Sequence, residues 1–217
     1  MLPIIGVVGK SGVGKTYVMG KLVAELKNRG YRVATVKHSA HDVDIDLEGK
    51  DSWHHAQAGS DAVVISSPHR FALIRNVDHD TSLAELSRFI GMDFDIILAE
   101  GFKQNKVIKI EVHRKELGPD ILCEHEELLA IVTDEELELS VPQFSADNAQ
   151  GLVDLIEKSC LVKEEAAVSL FVNGEPVALN DFVRNLFSNV LFGLVSSLKR
   201  IPRATGIDIS IRKKDRQ

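Results

Sequence analysis

The chain of 217 residues carries a net charge of −6, and 44% of its residues are apolar while 27% are charged. This composition is typical of a globular protein with one sizeable domain and an appendage, and the negative charge argues against generic nucleic-acid binding. Two cysteines without metal-site spacing, no apolar run near the roughly 18 residues of a membrane span, and no basic leader predict a cytoplasmic protein without membrane contact.

Residues 1–163 alternate strand and helix patterns along the chain. The β-branched run 3–9 predicts a buried strand, and 15–29 predicts a helix that ends at Gly30. The acidic segment 39–52 has no clear period and predicts a polar loop. Another buried strand is predicted over 61–67, further strands over 31–38, 93–102, 106–114 and 127–134, an edge strand over 70–77, and helices over 51–58, 82–91 and 147–159. This alternation predicts an α/β fold with a mostly parallel sheet flanked by helices.

Residues 164–217 break the alternation and predict a small α+β appendage of a hairpin and a helix. Two alternating runs over 168–180 surround Asn173-Gly174, a strong hairpin signal, and a helix over 181–199 follows. The segment 207–212 is a candidate for one more strand. Because the helix is apolar over more than one narrow stripe, we expect it to pack on the main domain, a second subunit or a partner.

The segment 9–16 reads GKSGVGKT and matches the phosphate-binding pattern G-x-x-x-x-G-K-[ST]. Glycines let such a loop curl around an anion, and the following helix presents its N–H groups to the same phosphates. We expect Lys15 to contact the β- and γ-phosphates and Thr16 to ligate Mg²⁺. The strand–loop–helix context therefore predicts a P-loop NTPase whose triphosphate is bound by Gly9, Lys10, Ser11, Gly12, Val13, Gly14, Lys15 and Thr16.

Such a site also needs a carboxylate near the metal, at the end of a neighbouring strand. Glu100 ends the apolar run IILAE and is predicted to bind Mg²⁺ with Thr16, while Gly101 lies against the γ-phosphate. Three acids that alternate in the polar loop are further candidates for binding the metal or positioning water: Asp42, Asp44 and Asp46. The predicted catalytic residues are Lys15, Glu100 and Asp42.

Two features after the last long strand predict the base. Asp134 follows the run AIVT, where its carboxylate would accept hydrogen bonds from the N1 and amine donors of guanine. The run FSADNAQG over 144–151 is similar to the Ser-Ala-x loop that many GTPases place against guanine. Both features favour GTP over ATP, although an aspartate after a strand is also a common turn or capping residue.

Three stretches together resemble the molybdopterin-guanine dinucleotide biosynthesis protein B (MobB) family: GKSGVGKT, VKHSAHDVDIDLEGKDS and ILAEGFK. The resemblance covers residues 3–160 and leaves the appendage outside the family pattern. It implies a homodimeric GTP-binding protein with slow GTPase activity, which assists a separate molybdenum cofactor guanylyltransferase in joining GMP to molybdopterin. It also implies that Lys50 and Lys103 face phosphates, including those of a pterin ligand.

Other functions share the loop and stay open at this point. GKSGVGKT also resembles the K-G-G-x-G-K-T loop of dimeric ATPases, whose first lysine reaches across the dimer, and in that case Lys10 would favour ATP. A delivery module for GTP or molybdopterin would bind the same nucleotide without physiological hydrolysis. A GTP-dependent metallochaperone would need Cys or His ligands at a switch, and a small-molecule kinase would need a lid with more arginines than Arg70 and Arg75.

Overall fold

The structure is a computed structural model that describes residues 2–39, 41–91, 93–161, 168–173, 175–199 and 204–211. The chain divides into two compact units, Leu2–Leu161 and Val162–Gln217. The boundary predicted between residues 163 and 164 lies outside the described residues. None of the helices in the described part of the chain is both long and apolar enough to cross a membrane.

The first unit contains a six-stranded sheet and a separate hairpin. Its strands are β1 (Ile4–Val8), β2 (Val33–Lys37), β3 (Ala62–Ser66), β4 (Phe71–Arg75), β5 (Ile96–Glu100), β6 (Ile108–Val112), β7 (Leu128–Val132) and β8 (Gln143–Phe144). The sheet has the order β2-β5-β1-β6-β7-β8, and every neighbouring pair in it is parallel. The predicted mostly parallel sheet is therefore confirmed, and the carboxyl ends of its strands meet at one edge.

Helices cover both faces of this sheet, as the sequence predicted. The helices of this unit are α1 (Lys15–Asn28), α2 (Asp51–Gln57), α3 (Leu83–Ile90) and α4 (Ala149–Cys160). On one face, Leu22 of α1 and Ile156 of α4 pack into the main core, where both are fully buried. On the other face, Leu83 of α3 packs against Ala99 of β5. The core thus fixes the start of α1 at the carboxyl edge of the sheet.

The face of β6 opposite the main core contains buried charged residues. Lys109 is 1% exposed and donates from Nζ to Glu127 at 2.5 Å. Glu111, also 1% exposed, accepts the backbone N–H groups of Leu122 and Cys123 at 2.8 and 3.0 Å. Burial, together with the Glu111 carboxylate, raises the pKa of Cys123 to about 12. The thiol therefore stays protonated and unreactive at neutral pH.

The hairpin corrects one prediction about the environment of a strand. Residues 61–67 were predicted as a buried strand, but among the described strands β3 pairs with β4 alone, in antiparallel register and outside the main sheet. Val64 is 62% exposed and Phe71 is 77% exposed. A short apolar run has the same pattern in a buried strand and in a surface hairpin, so the sequence could not separate the two.

The second unit has the predicted hairpin and helix. Strands β9 (Leu170–Val172) and β10 (Glu175–Val177) pair in antiparallel register, and Asn173 takes a positive φ of 53° in the turn. Helix α5 (Asp181–Ser196) begins after Asn180, whose side chain accepts the Val183 N–H at 2.9 Å. The described residues 204–211 contain no strand, so the strand predicted over 207–212 is wrong within that range.

Candidate functional site

The segment 9–16 forms a loop between β1 and α1 at the carboxyl edge of the sheet. Its glycines take positive φ angles of 149° at Gly9, 74° at Gly12 and 101° at Gly14. The Lys15 ammonium donates to the carbonyl oxygens of Gly9 at 3.0 Å and Lys10 at 2.9 Å, so the loop curls around it. Gly14 precedes α1 without a side chain to cap its first N–H groups. A cation and a free helix N-terminus together suit phosphate binding.

Of the glycines in the loop, Gly9 lies closest to a neighbouring stretch of backbone. Replacing it with alanine is therefore expected to destabilise the fold strongly. A Cβ at Gly9 would lie 2.4 Å from the Val112 carbonyl oxygen and 2.9 Å from Val13 Cγ1. Gly12 is the matched control, because its φ is also positive but a Cβ there meets no atom within 4 Å. We expect Gly9→Ala to lower the free energy of unfolding by about 3–5 kcal/mol and Gly12→Ala by about 1–2 kcal/mol. Urea titrations measure both, and equal losses would contradict the steric assignment.

Glu100 ends β5, next to β1, and its carboxylate faces the first turn of α1. The Thr16 hydroxyl lies 3.4 Å from both of its oxygens. Lys37 Nζ, at the end of β2, lies 3.7 Å from Glu100 Oε1, and the Glu100 side chain is only 13% exposed. A hydroxyl and a carboxylate oxygen are ligands that Mg²⁺ prefers, so the residues present fit this metal. The fold thus brings together the two residues predicted to bind it.

His38 and Asp80 form a pair beside Glu100 that the sequence analysis did not predict. The backbone N–H of His38 donates to the backbone carbonyl of Glu100 at 2.9 Å. The ring nitrogen Nε2 of His38 lies 3.0 and 3.1 Å from the two carboxylate oxygens of Asp80. The His38 ring lies 5.0 Å from the Phe102 ring. A Cβ at Gly101 would come 3.1 Å from the His38 Cβ, so Gly101 permits this packing. Asp80 follows the hairpin in a segment with no motif, and the sequence offered no signal for it.

Of the three candidate carboxylates in the acidic loop, one is fixed by hydrogen bonds and two are exposed. No hydrogen bond or ion pair joins Asp42 or Asp44 to another described residue. Asp46 accepts the Leu47 N–H at 2.8 Å and the Ser52 hydroxyl at 3.0 Å, which fixes the turn before α2. The described contacts do not bring Asp42 to Thr16 and Glu100, and its catalytic role stays a prediction.

Lys10 and Arg114 tie the loop to the segment after β6. Lys10 Nζ donates to Asp120 at 2.9 Å and to a backbone carbonyl of the same segment at 2.7 Å. Its ammonium holds the pKa of Asp120 below the usual range. Arg114 Nε donates to the Val13 carbonyl at 3.1 Å, a contact that the sequence analysis missed. Lys10 is therefore bound by this segment of the same chain.

Asp134 lies two residues after the end of β7, at the edge of the sheet that holds the loop. Its carboxylate accepts the Lys115 N–H at 3.0 Å, and this bond holds the pKa of Asp134 below its usual value. The side chain is exposed and ionised, and a carboxylate has room for further hydrogen bonds. The carboxylate can therefore accept hydrogen bonds from a ligand while it keeps its hydrogen bond from the Lys115 N–H.

Comparisons with known proteins agree on one family. Residues 4–134 match the family model described as molybdopterin guanine dinucleotide synthesis protein B. The chain is 36% identical over 157 residues to the molybdopterin-guanine dinucleotide biosynthesis adapter protein of Haemophilus influenzae, covering 72% of this chain and 88% of that protein. The Escherichia coli protein of the same name is 33% identical over 161 residues, covering 72% and 92%. The crystal structure of Bacillus subtilis MobB superposes with a TM-score of 0.59 at 26% identity, covering 75% and 100%.

Proposed function

Because residues 4–134 of the 217 match the family model, the chain belongs to the family of molybdopterin guanine dinucleotide synthesis protein B, and on this premise we propose that it is an adapter in the biosynthesis of molybdopterin guanine dinucleotide. In this proposal the protein binds GTP with Mg²⁺ and hydrolyses it slowly. A separate guanylyltransferase joins GMP to molybdopterin. The names of the Haemophilus and Escherichia relatives support the adapter role.

The observation that carries the proposal is the meeting of the loop with Glu100, where the Thr16 hydroxyl lies 3.4 Å from the carboxylate. Lys15 and the first N–H groups of α1 bind the β- and γ-phosphates. Thr16 and Glu100 hold the metal. Bound there, Mg²⁺ supplies Lewis-acid stabilisation of the charge that develops on the phosphoryl oxygens.

Slow hydrolysis agrees with the state of the acidic loop. The proposed water-positioning residue, Asp42, is exposed and makes no hydrogen bond with another described residue. A carboxylate that is not held in place orients the attacking water for only part of the time, and precise orientation supplies much of a catalytic rate. We therefore expect the partner to raise turnover by ordering residues 41–50.

Asp134 is proposed to select guanine, and Asp134→Ala should narrow the preference for GTP over ATP. A hydrogen-bonded charged contact with the base is worth about 1.5–3 kcal/mol, so GTP affinity should fall about tenfold or more while ATP affinity changes little. Titration calorimetry with both Mg²⁺-nucleotides measures the ratio. Asp134→Asn is the matched variant, since it keeps the shape and an acceptor for the Lys115 N–H. A wild-type protein that prefers ATP would contradict the guanine assignment.

The proposal includes a homodimer, whose contact surface is proposed to be the β3–β4 hairpin. Four large apolar side chains there are exposed: Val64 by 62%, Ile65 by 43%, Phe71 by 77% and Leu73 by 47%. Exposed apolar side chains grouped on one hairpin favour association with another protein surface. Sedimentation velocity measures the assembly, and a monomer at micromolar concentration would contradict the proposed homodimer.

Lys50 and Lys103 are also exposed and are proposed to bind phosphates of molybdopterin.

The experiment that tests the whole proposal combines the protein with the guanylyltransferase, molybdopterin and Mg²⁺-GTP. We expect this protein to increase the yield of molybdopterin guanine dinucleotide, and its GTP hydrolysis to rise in the complex. Product formation that increases without any hydrolysis would favour the delivery module. An unchanged yield, with phosphate transferred to a small acceptor, would favour a kinase and contradict the adapter role.

A further inference from the structure

Tyr17 follows Thr16 on the first turn of α1 but faces a different strand of the sheet. Successive residues of a helix are turned by about 100° around its axis. Thr16 accordingly faces Glu100 at the end of β5, whereas the Tyr17 hydroxyl donates to Asp147 Oδ1, just after β8, at 2.6 Å. In the order β2-β5-β1-β6-β7-β8, these two acids lie on opposite sides of β1, the strand that leads into the loop.

Lys21 completes a cluster with Tyr17 and Asp147. Its Nζ lies 3.4 Å from Asp147 Oδ1 and 5.2 Å from the centroid of the Tyr17 ring. Both donors use Oδ1, so no described residue donates to Asp147 Oδ2. Tyr17 is 49% exposed. The cluster therefore presents an oriented aromatic ring and an available carboxylate oxygen to solvent.

Stability alone is a weak reason for this cluster. The side chains of Lys21 and Asp147 are 44% and 77% exposed, and ion pairs in water contribute little to folding. Helices α1 and α4 are already joined by the fully buried core residues Leu22 and Ile156. An aromatic ring that is held in place but left half exposed suits ligand contact better than core packing.

The position of the cluster defines which part of a nucleotide would reach it. If the metal-binding end of a triphosphate lies at Thr16 and Glu100 and its chain follows the loop, the nucleotide extends away from β5. The nucleoside then lies over the carboxyl ends of β6, β7 and β8, close to Asp134 and Asp147. Asp147 is outside the residues that match the family model, 4–134, so that match says nothing about it.

We propose that Tyr17 and Asp147 form the nucleoside subsite, in which Asp147 Oδ2 accepts hydrogen bonds from the ribose hydroxyls and the Tyr17 ring stacks on the base. Carboxylates bind ribose hydroxyls in the same way in dinucleotide-binding folds. Aromatic rings stack on any base, so Tyr17 adds affinity while Asp134 selects guanine. The inference rests on the proposed nucleotide binding and extends it from the phosphates to the nucleoside.

Calorimetric titration of the full chain with three Mg²⁺ complexes tests this subsite: GTP, 2′,3′-dideoxy-GTP and inorganic tripolyphosphate. Tripolyphosphate occupies the loop but has no nucleoside. We expect Tyr17→Ala to weaken GTP binding about tenfold and to leave tripolyphosphate binding unchanged. Tyr17→Phe keeps the ring and should retain most of the affinity for GTP. Asp147→Asn should weaken GTP about tenfold and dideoxy-GTP much less, because the latter lacks the hydroxyls.

Asp154→Asn is the matched control for Asp147→Asn. Asp154 is also exposed, by 68%, and pairs with a cation, Arg29, but it lies on α4. Equal weakening of GTP and tripolyphosphate by Tyr17→Ala, or unchanged GTP affinity, would overturn the subsite. If the wild-type protein bound tripolyphosphate as tightly as GTP, the result would contradict the nucleoside subsite but not phosphate binding by the loop. Wild-type protein that bound neither would overturn the proposed function itself.

Discussion

Lys15→Ala is expected to lower the affinity for Mg²⁺-GTP about 100-fold or more while the protein stays folded. The Lys15 ammonium lies in the curl of the loop, 3.0 Å from the Gly9 carbonyl and 2.9 Å from the Lys10 carbonyl, where a bound triphosphate would be cradled. Each hydrogen bond to a charged group contributes about 1.5–3 kcal/mol, and one lysine that contacts two phosphates supplies at least two of them. Titration calorimetry measures the loss.

The fold should tolerate this change because Lys15 is only partly buried and contributes no apolar contact to the core. Circular dichroism and the midpoint of thermal unfolding check this. Lys27→Ala, at an exposed position on the same helix, is the control and should bind GTP like the wild type. Wild-type affinity in Lys15→Ala would show that the loop does not bind phosphates.

Glu100→Gln is expected to slow GTP hydrolysis about 100-fold while nucleotide affinity falls much less. The substitution keeps the shape of the side chain and one acceptor near the Thr16 hydroxyl, but it removes the charge that holds Mg²⁺. Lys37, 3.7 Å from the carboxylate, also loses its ion-pair partner and leaves an extra positive charge near the metal. Both effects weaken metal binding, so the variant should need more Mg²⁺ for the same turnover.

Steady-state hydrolysis at increasing Mg²⁺ concentration measures this shift. Asp95→Asn is the matched control, because Asp95 precedes the opposite end of the same strand and binds the Arg32 N–H at 2.6 Å. Removing Mg²⁺ with a chelator should bring the wild type down to the rate of the variant. Turnover of Glu100→Gln that equals the wild type would move the metal role to another acid, with Asp42 as the next candidate.

Predictions from local pattern succeeded where the pattern itself fixes the backbone. The helix predicted over 82–91 forms over Leu83–Ile90. The Ser82 hydroxyl caps it by accepting the Glu85 N–H at 3.3 Å, and Gly91 ends it. The turn predicted at Asn173-Gly174 has Asn173 at a positive φ. Caps and tight turns depend on residues within about four positions, so the sequence alone carries the necessary information.

Predictions about environment failed where burial depends on distant elements. The apolar run at 61–67 forms the predicted strand, but it pairs in a hairpin and leaves Val64 exposed. The strand predicted over 106–114 forms as β6, but its pattern gave no sign that Lys109 is buried with Glu127 and a backbone carbonyl bound to its ammonium. Neither partner can be identified before the chain connections are known.

The sequence by itself determined the loop: eight consecutive residues, GKSGVGKT, contain the glycines, the lysine and the hydroxyl that a phosphate site needs. The sequence also proposed Glu100 as the carboxylate that joins Thr16, 84 residues away, and the fold brings the two together. Only the tertiary structure showed that Tyr17 meets Asp147 across 130 residues. These pairs exist because parallel strand order decides which carboxyl ends are neighbours, and that order is a property of packing over the whole sheet. His38 and Asp80 show the same dependence, since Asp80 reaches the site only through the path of the chain after the hairpin.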